Sequence, residues 1–214
     1  MNIFNKIAIV AGFGVAVAFG GTFTNGSFED PGGNTPGIRC IYDNAGCAAT
    51  GWTTAGGLQV WESAPNDGIS SGADGIFWVS FGHSGATGGT LEQTFDTIIG
   101  NTYSVAFSLI VQQGADPESV LAEALDGVTT IGSSSLTDFT NPDWFAGPGF
   151  NFTATSTSTT LRFTDTTVGG GSANWGLDAV TVGPAIASAP EPASLMLIGG
   201  ALVGLRFRRQ RARR

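Results

Sequence analysis

The chain has 214 residues, which suits one domain of ordinary size with short extensions. Its 33 glycines and its charged content of only 12% exclude a helical bundle and fit short strands joined by turns. The net charge is −8, and Arg39 and Arg162 are the only bases between residues 21 and 187, against 16 acids. Such a field excludes nucleic acid as a partner.

The first 18 residues carry the pattern of a secretory signal peptide. Lys6 forms a basic start, Ile7 to Val17 is apolar, and Ala16-Val17-Ala18 is a small-x-small cleavage site. A membrane helix is the weaker reading, because the run is short and leads into Gly-Gly. Residues 21–187 follow as one domain with no internal repeat and no long amphipathic helix. Cys40 and Cys47 enclose six residues, and in an exported chain they are expected to form a disulfide. Closing so short a loop stabilises by about 2–3 kcal/mol in the chain-entropy model. Two cysteines and a single distant histidine make a zinc site unpromising.

The strand signals are alternation and apolar runs. Gly75 to Phe81 (GIFWVSF) is continuously apolar or aromatic and suits a strand covered on both faces. Leu91 to Phe95 leads to a turn at Ile99-Gly100-Asn101, and Tyr103, Val105, Phe107 and Leu109 then share one face of a half-buried strand. The segment DPESVLAEALDG has helix signals in Asp116, Pro117 and Gly127. Asp126-Gly127 followed by VTTI is equally a hairpin signal, and strand–turn–strand is preferred because a long helix lacks a partner here. Phe150, Phe152 and Ala154 alternate, as do Leu161 and Phe163, and the last strand is expected at Leu177, Ala179, Val180 and Val182.

Five tryptophans offer apolar faces to a sugar. Trp52 and Trp78 sit in apolar strand patterns and are assigned to the core. Trp61, Trp144 and Trp175 stand beside polar or Gly/Pro segments and are the candidate glycan-binding residues. Catalysis finds little support. His83 lies in a Gly/Ser stretch with no G-x-S-x-G elbow, no carboxylate pair is marked by spacing, and no phosphate loop is present.

The C-terminal run Ala193 to Leu205 is 13 residues, roughly 20 Å as a helix at about 1.5 Å per residue. A bilayer core is about 30 Å thick, so this short transmembrane helix is a marginal span. Arg206, Arg208, Arg209, Arg211, Arg213 and Arg214 follow it and would stay cytoplasmic, leaving the domain outside. Pro190-Glu191-Pro192, the apolar run and the arginine cluster, occurring in that order, resemble the PEP-CTERM sorting signal over residues 189–214. That resemblance implies export in a Gram-negative bacterium, a membrane-held intermediate, and recognition by an exosortase near Pro-Glu-Pro.

The domain also carries Asn25-Gly26-Ser27-Phe28-Glu29, Gly51-Trp52, LEQTFDTIIGNTYSVAFSL, FTATSTSTTLRFTD and WGLDAVTV in order. Together these resemble the choice-of-anchor C group among galactose-binding-like, carbohydrate-binding jelly rolls. The resemblance implies an all-β single sandwich with first and last strands adjacent. It also implies a structural Ca2+ flanked by Glu29 and Asp178, with Asn25 and Asp30 as further donors and no other cofactor. The bland alternative is that Glu29 caps a turn and Asp178 orients a loop through backbone hydrogen bonds. Trp175-Gly176 stands where the group often has Gly-Pro. The resulting expectation is a non-catalytic surface or extracellular-matrix protein that binds polysaccharide. The rivals are a structural or adhesive protein with no glycan site and a glycoside hydrolase.

Overall fold

The computed structural model describes residues 21–30, 39–41, 49–57, 59–66, 68–113, 116–169 and 174–185. The signal peptide, Cys47 and the whole Pro-Glu-Pro tail lie outside the described residues, as do the side chains of 39–41. Among the described residues no helix is long and apolar enough to cross a membrane.

The alternating segments form strands, and the strands form two antiparallel sheets. They are β1 (Arg39–Ile41), β2 (Thr53–Ala55), β3 (Val60–Ser63), β4 (Phe77–Phe81), β5 (Thr90–Asp96) and β6 (Thr102–Gln113). The rest are β7 (Glu118–Asp126), β8 (Thr129–Phe139), β9 (Phe145–Ala146), β10 (Phe150–Thr153), β11 (Ser158–Asp165) and β12 (Asn174–Pro184). One sheet runs β1-β3-β4-β12-β6-β10, with β9 also paired to β6, and the other runs β2-β5-β11-β7-β8. The chain divides after Pro184, where β12 ends.

The sandwich is held by its two inner faces. Trp61, Val79, Phe81, Leu109, Trp175 and Leu177 from the first sheet meet Leu91, Phe95, Val120, Ala122, Leu161 and Phe163 from the second in one buried cluster. The Phe81 and Trp175 rings stack at 4.1 Å. The first sheet is covered on its outer face as well. There Ile69, Trp78 and Ile110 make a small second cluster with Ala64 and Trp144, which is why GIFWVSF is apolar throughout.

The ambiguous 116–127 segment is the β7 strand. Asp126 pairs with Thr129 across a two-residue turn at Gly127-Val128, and Gly127 has φ +59°.

Asn25 to Glu29 is a turn, in which Asn25 and Phe28 take left-handed φ values of 52° and 57°. The Asn25 side chain closes that turn: its Oδ1 accepts the Asp30 N–H at 2.9 Å and its Nδ2 donates to the carbonyls of Asp30 and Thr50. The turn still docks on the last strand, where the Val180 N–H donates to the Gly26 carbonyl at 2.9 Å. In β12, the even alternation through Ala179 fails. A bulge between Asp178 and Thr181 puts Ala179 at φ 52°, so Leu177 and Val180 are the inward residues.

Candidate functional site

Glu29 and Asp178 do come together, through a shared loop. Gly72 to Gly75 forms a turn closed by the Gly72 N–H on the Gly75 carbonyl at 3.1 Å. Asp178, fully buried in β12, accepts the Asp74 N–H on Oδ2 at 2.9 Å and the Ala179 N–H on Oδ1 at 2.6 Å. The Ala73 N–H also reaches this carboxylate. On the other flank, Glu29 Oε1 accepts the N–H groups of Ile76 and Phe77 at 2.8 and 2.7 Å. Burial, the larger effect, outweighs the N–H bonds and pushes the Asp178 carboxyl up to about 7, with Asp74 adding to the rise.

This arrangement does not suit a cation. Peptide N–H groups already bond three of the four carboxylate oxygens, and calcium needs six to eight oxygens. Among the described residues no three of His, Cys, Asp and Glu gather to hold a metal. What the pair does in this structure is fix loop 72–77 by backbone hydrogen bonds.

The tryptophans separate sharply. Trp61 and Trp175 are 1% and 0% exposed, so these two glycan candidates are corrected to core residues: no sugar reaches either indole face. Trp52 and Trp78 are buried too. Trp144 is partly exposed. Its Nε1 donates to the Ser71 carbonyl at 3.0 Å, and its ring stands edge-on to Trp78 at 6.2 Å. Gly176 lies beneath it. A Cβ there would meet Ile110, Trp78 and Trp144, so the glycine lets the three rings and side chains close over the sheet.

A polar cluster shares this outer face. Glu62, on β3 and fully buried, accepts the Ser80 hydroxyl on Oε1 at 2.9 Å. Its Oε2 accepts Gln112 Nε2 at 2.7 Å and Asn66 Nδ2 at 2.8 Å. Gln112 Oε1 is buried without a hydrogen-bond partner. The Asn141 carbonyl accepts the Val111 N–H at 2.8 Å, so the loop that carries Trp144 runs beside Ile110 and Gln112. This cluster was missed in sequence because Glu62 and Gln112 are 50 residues apart. His83 stands apart, with Nδ1 at 3.4 Å from Asn174 Nδ2.

The DUF642 family, described as a protein of unknown function, matches residues 21–188. The chain belongs to this family. The PEP-CTERM protein-sorting motif matches residues 188–211, the stretch that the tail pattern pointed to. No curated protein matches the chain. Among solved structures, this DUF642 sandwich is similar to a cyclase from Fischerella sp. TAU, at 17% identity over 78% of this chain and 98% of that one, with TM-score 0.57. It also resembles a family 35 carbohydrate-binding module from Clostridium thermocellum (16% identity, 69% and 98% covered, TM-score 0.44). A third is a family 61 carbohydrate-binding module in complex with β-1,4-galactotriose (14% identity, 64% and 90% covered, TM-score 0.45).

Proposed function

We propose that this DUF642 protein is a non-catalytic component of the cell surface or extracellular matrix of a Gram-negative bacterium, sorted by an exosortase, and that its sandwich binds polysaccharide on the outer face of the β4-β12-β6 sheet. The sorting half rests on the PEP-CTERM motif. The signal peptide, the membrane-held tail and the Cys40–Cys47 disulfide belong to the same reading, as steps of an export route.

The ligand half is carried by one observation: Trp144 is a partly exposed indole on this face, edge-on to Trp78 and above Gly176. An apolar ring face packs on pyranose C–H groups. A glycan array on the purified chain tests it. Binding that disappears in Trp144→Ala, with folding intact, is the expected result. Binding to no glycan by a folded protein would leave the structural or adhesive role.

That second reading has its own observation. The outer face of the other sheet carries one polar row across all five strands: Thr53, Glu92, Arg162, Glu123 and Ser133. It offers no aromatic platform, so it suits hydrated packing rather than sugar stacking. Intact mass of the mature protein tests sorting separately: loss of Arg206 to Arg214 is expected, and a mature chain that retains Arg214 removes exosortase processing.

A further inference from the structure

Among the described residues, five large apolar side chains stand in water: Ile76, Ile98, Ile99, Val128 and Val168. Exposed apolar residues scattered singly are ordinary, but three of these are grouped. Ile98 and Ile99 lie in the turn between β5 and β6, 65% and 61% exposed, and Val128 is the tip of the β7-β8 hairpin, 98% exposed. The loop from β10 to β11 ties these two turns together. Its Ala154 carbonyl accepts the Gly100 N–H at 2.8 Å and its Thr157 carbonyl accepts the Thr97 N–H at 3.0 Å. On the other side, the Thr155 hydroxyl donates to Asp126 Oδ2 at 2.7 Å. Ile98, Ile99 and Val128 therefore share one end of the sandwich. Val168 follows Thr167, whose hydroxyl donates to Glu118 at the start of β7, so it lies at the opposite end.

The chain leaves the sandwich at the Ile98 end. Pro184, the last residue of β12, pairs with Tyr103, and the Tyr103 hydroxyl accepts the Ile98 N–H at 2.9 Å. Residues 185–192 separate Pro184 from the apolar run that starts at Ala193. Fully extended, that stretch reaches at most about 30 Å. Whatever holds the apolar run keeps Pro184 within that distance of its start.

Electrostatics narrow the partner. The charged side chains described at this end are Asp96 and Asp126. The Thr155 and Ser156 hydroxyls hold the Asp126 carboxyl below the usual range, so it is ionised at neutral pH. Arg162, the base described in this sheet, is occupied by Glu92 at 2.8 Å. Apolar tips beside carboxylates suit a zwitterionic lipid surface. They suit neither an anionic surface nor a second copy of the same acidic end.

We propose that Ile98, Ile99 and Val128 rest on a zwitterionic phospholipid surface while the C-terminal tail holds the chain in the membrane, an inference that rests on the membrane-held tail of the proposed function. A linker this short gives an effective concentration on the order of mM, so a small apolar contact suffices. The side chains enter the headgroup boundary, to a depth of about 5–10 Å. Trp144 stays clear of the lipid. It packs against the cluster of Ile69, Trp78 and Ile110, and Ile110 is seven residues beyond Tyr103 along β6, roughly 23 Å away. The docked domain keeps its proposed glycan face open.

The test reconstitutes the full chain into phosphatidylcholine vesicles. It reads flotation, then the quenching of an attached fluorophore by spin-labelled lipid. The fluorophore is carried at Val128→Cys or, as the control, at Val168→Cys, and the unmodified chain taken through the same labelling gives the background from Cys40 and Cys47. The label at 128 should lose several-fold more emission than the label at 168. The difference should vanish when Ile98→Ser and Ile99→Ser are added, and shrink when part of the lipid is phosphatidylglycerol. Both serines replace exposed side chains and leave the backbone bonds of the turn in place, so the fold persists. A chain that floats with the vesicles while both labels are quenched alike overturns the docking and leaves the tail reading standing. A chain that does not float overturns the tail reading and the docking with it. Quenching at 128 that survives the two serines also overturns the docking. So does a label at 128 that is shielded from aqueous iodide without lipid quenching, increasingly so as protein is packed more densely, because the occupant is then a second copy.

Discussion

Asp178 accepts the backbone N–H of Asp74 at 2.9 Å across 104 residues of sequence. The bond joins the bulged last strand to the loop that precedes β4, and burial makes it dependent on pH. The Asp178 carboxyl is held up at about 7, against an ordinary 3.8. Between those values the folded chain keeps a proton that the unfolded chain has released. The stability from this group is therefore whole below about pH 4 and is lost as pH rises through about 7, with a slope of at most about 1.4 kcal/mol per pH unit. Asparagine does not titrate. The urea midpoint of the unmodified chain minus that of Asp178→Asn should fall from pH 4.5 to pH 8. A flat difference would show that this carboxyl is not raised.

Loop 72–77 depends equally on a missing side chain. Gly75 has φ +90°, and a Cβ there would press on the Glu29 carboxylate. Gly75→Ala should cost about 1–2 kcal/mol for the left-handed backbone, and about 1–3 kcal/mol more as the Glu29 bonds to Ile76 and Phe77 are lost. Gly100 shares the conformation, with φ +83°, but has open space around it, so Gly100→Ala should show the backbone part alone. Equal denaturant midpoints for the two variants would remove the Glu29 contact from the account.

Much of this sandwich was legible because period-2 patterning decides which face is buried. The β6 strand followed its alternation, and the Asp126-Gly127 turn chose hairpin over helix. Legibility failed where the backbone leaves the strand region. Asn25, Phe28 and Ala179 all take left-handed φ, and nothing in a string of residue types marks a bulge that resets the phase after Asp178. The tryptophans failed for another reason. Trp61 has Gln59 and Glu62 as neighbours, residues that suggest a surface, yet here they are buried too because the outer face of the sheet is covered. The burial of Glu118 and Asp165 was readable: each sits in phase with inward Val, Ala, Leu and Phe, and a charged residue on a core phase is the signal that sequence inspection passed over.

Glu62 should be a costly position despite its charge. It accepts from Ser80, Gln112 and Asn66 while fully buried. Glu62→Ala leaves three donors without their acceptor and should destabilise by about 3–5 kcal/mol. Glu62→Gln preserves one acceptor oxygen and should cost less. Urea unfolding of the two variants checks the order, and a neutral Glu62→Ala would mean that the donors find other partners.

The last pair of substitutions separates packing from recognition. Trp175 is fully buried against Phe81 and Phe139, so Trp175→Ala opens a cavity and should cost about 3–5 kcal/mol. Trp144 is half-open, and its loss removes one hydrogen bond to Ser71 and one edge contact with Trp78. Trp144→Ala should therefore cost only about 1–2 kcal/mol and leave a folded chain in which any glycan affinity is gone. Unfolding midpoints and binding isotherms measured on the same preparations decide between the roles. Equal destabilisation by both substitutions would make Trp144 another packing residue and take the aromatic face out of recognition.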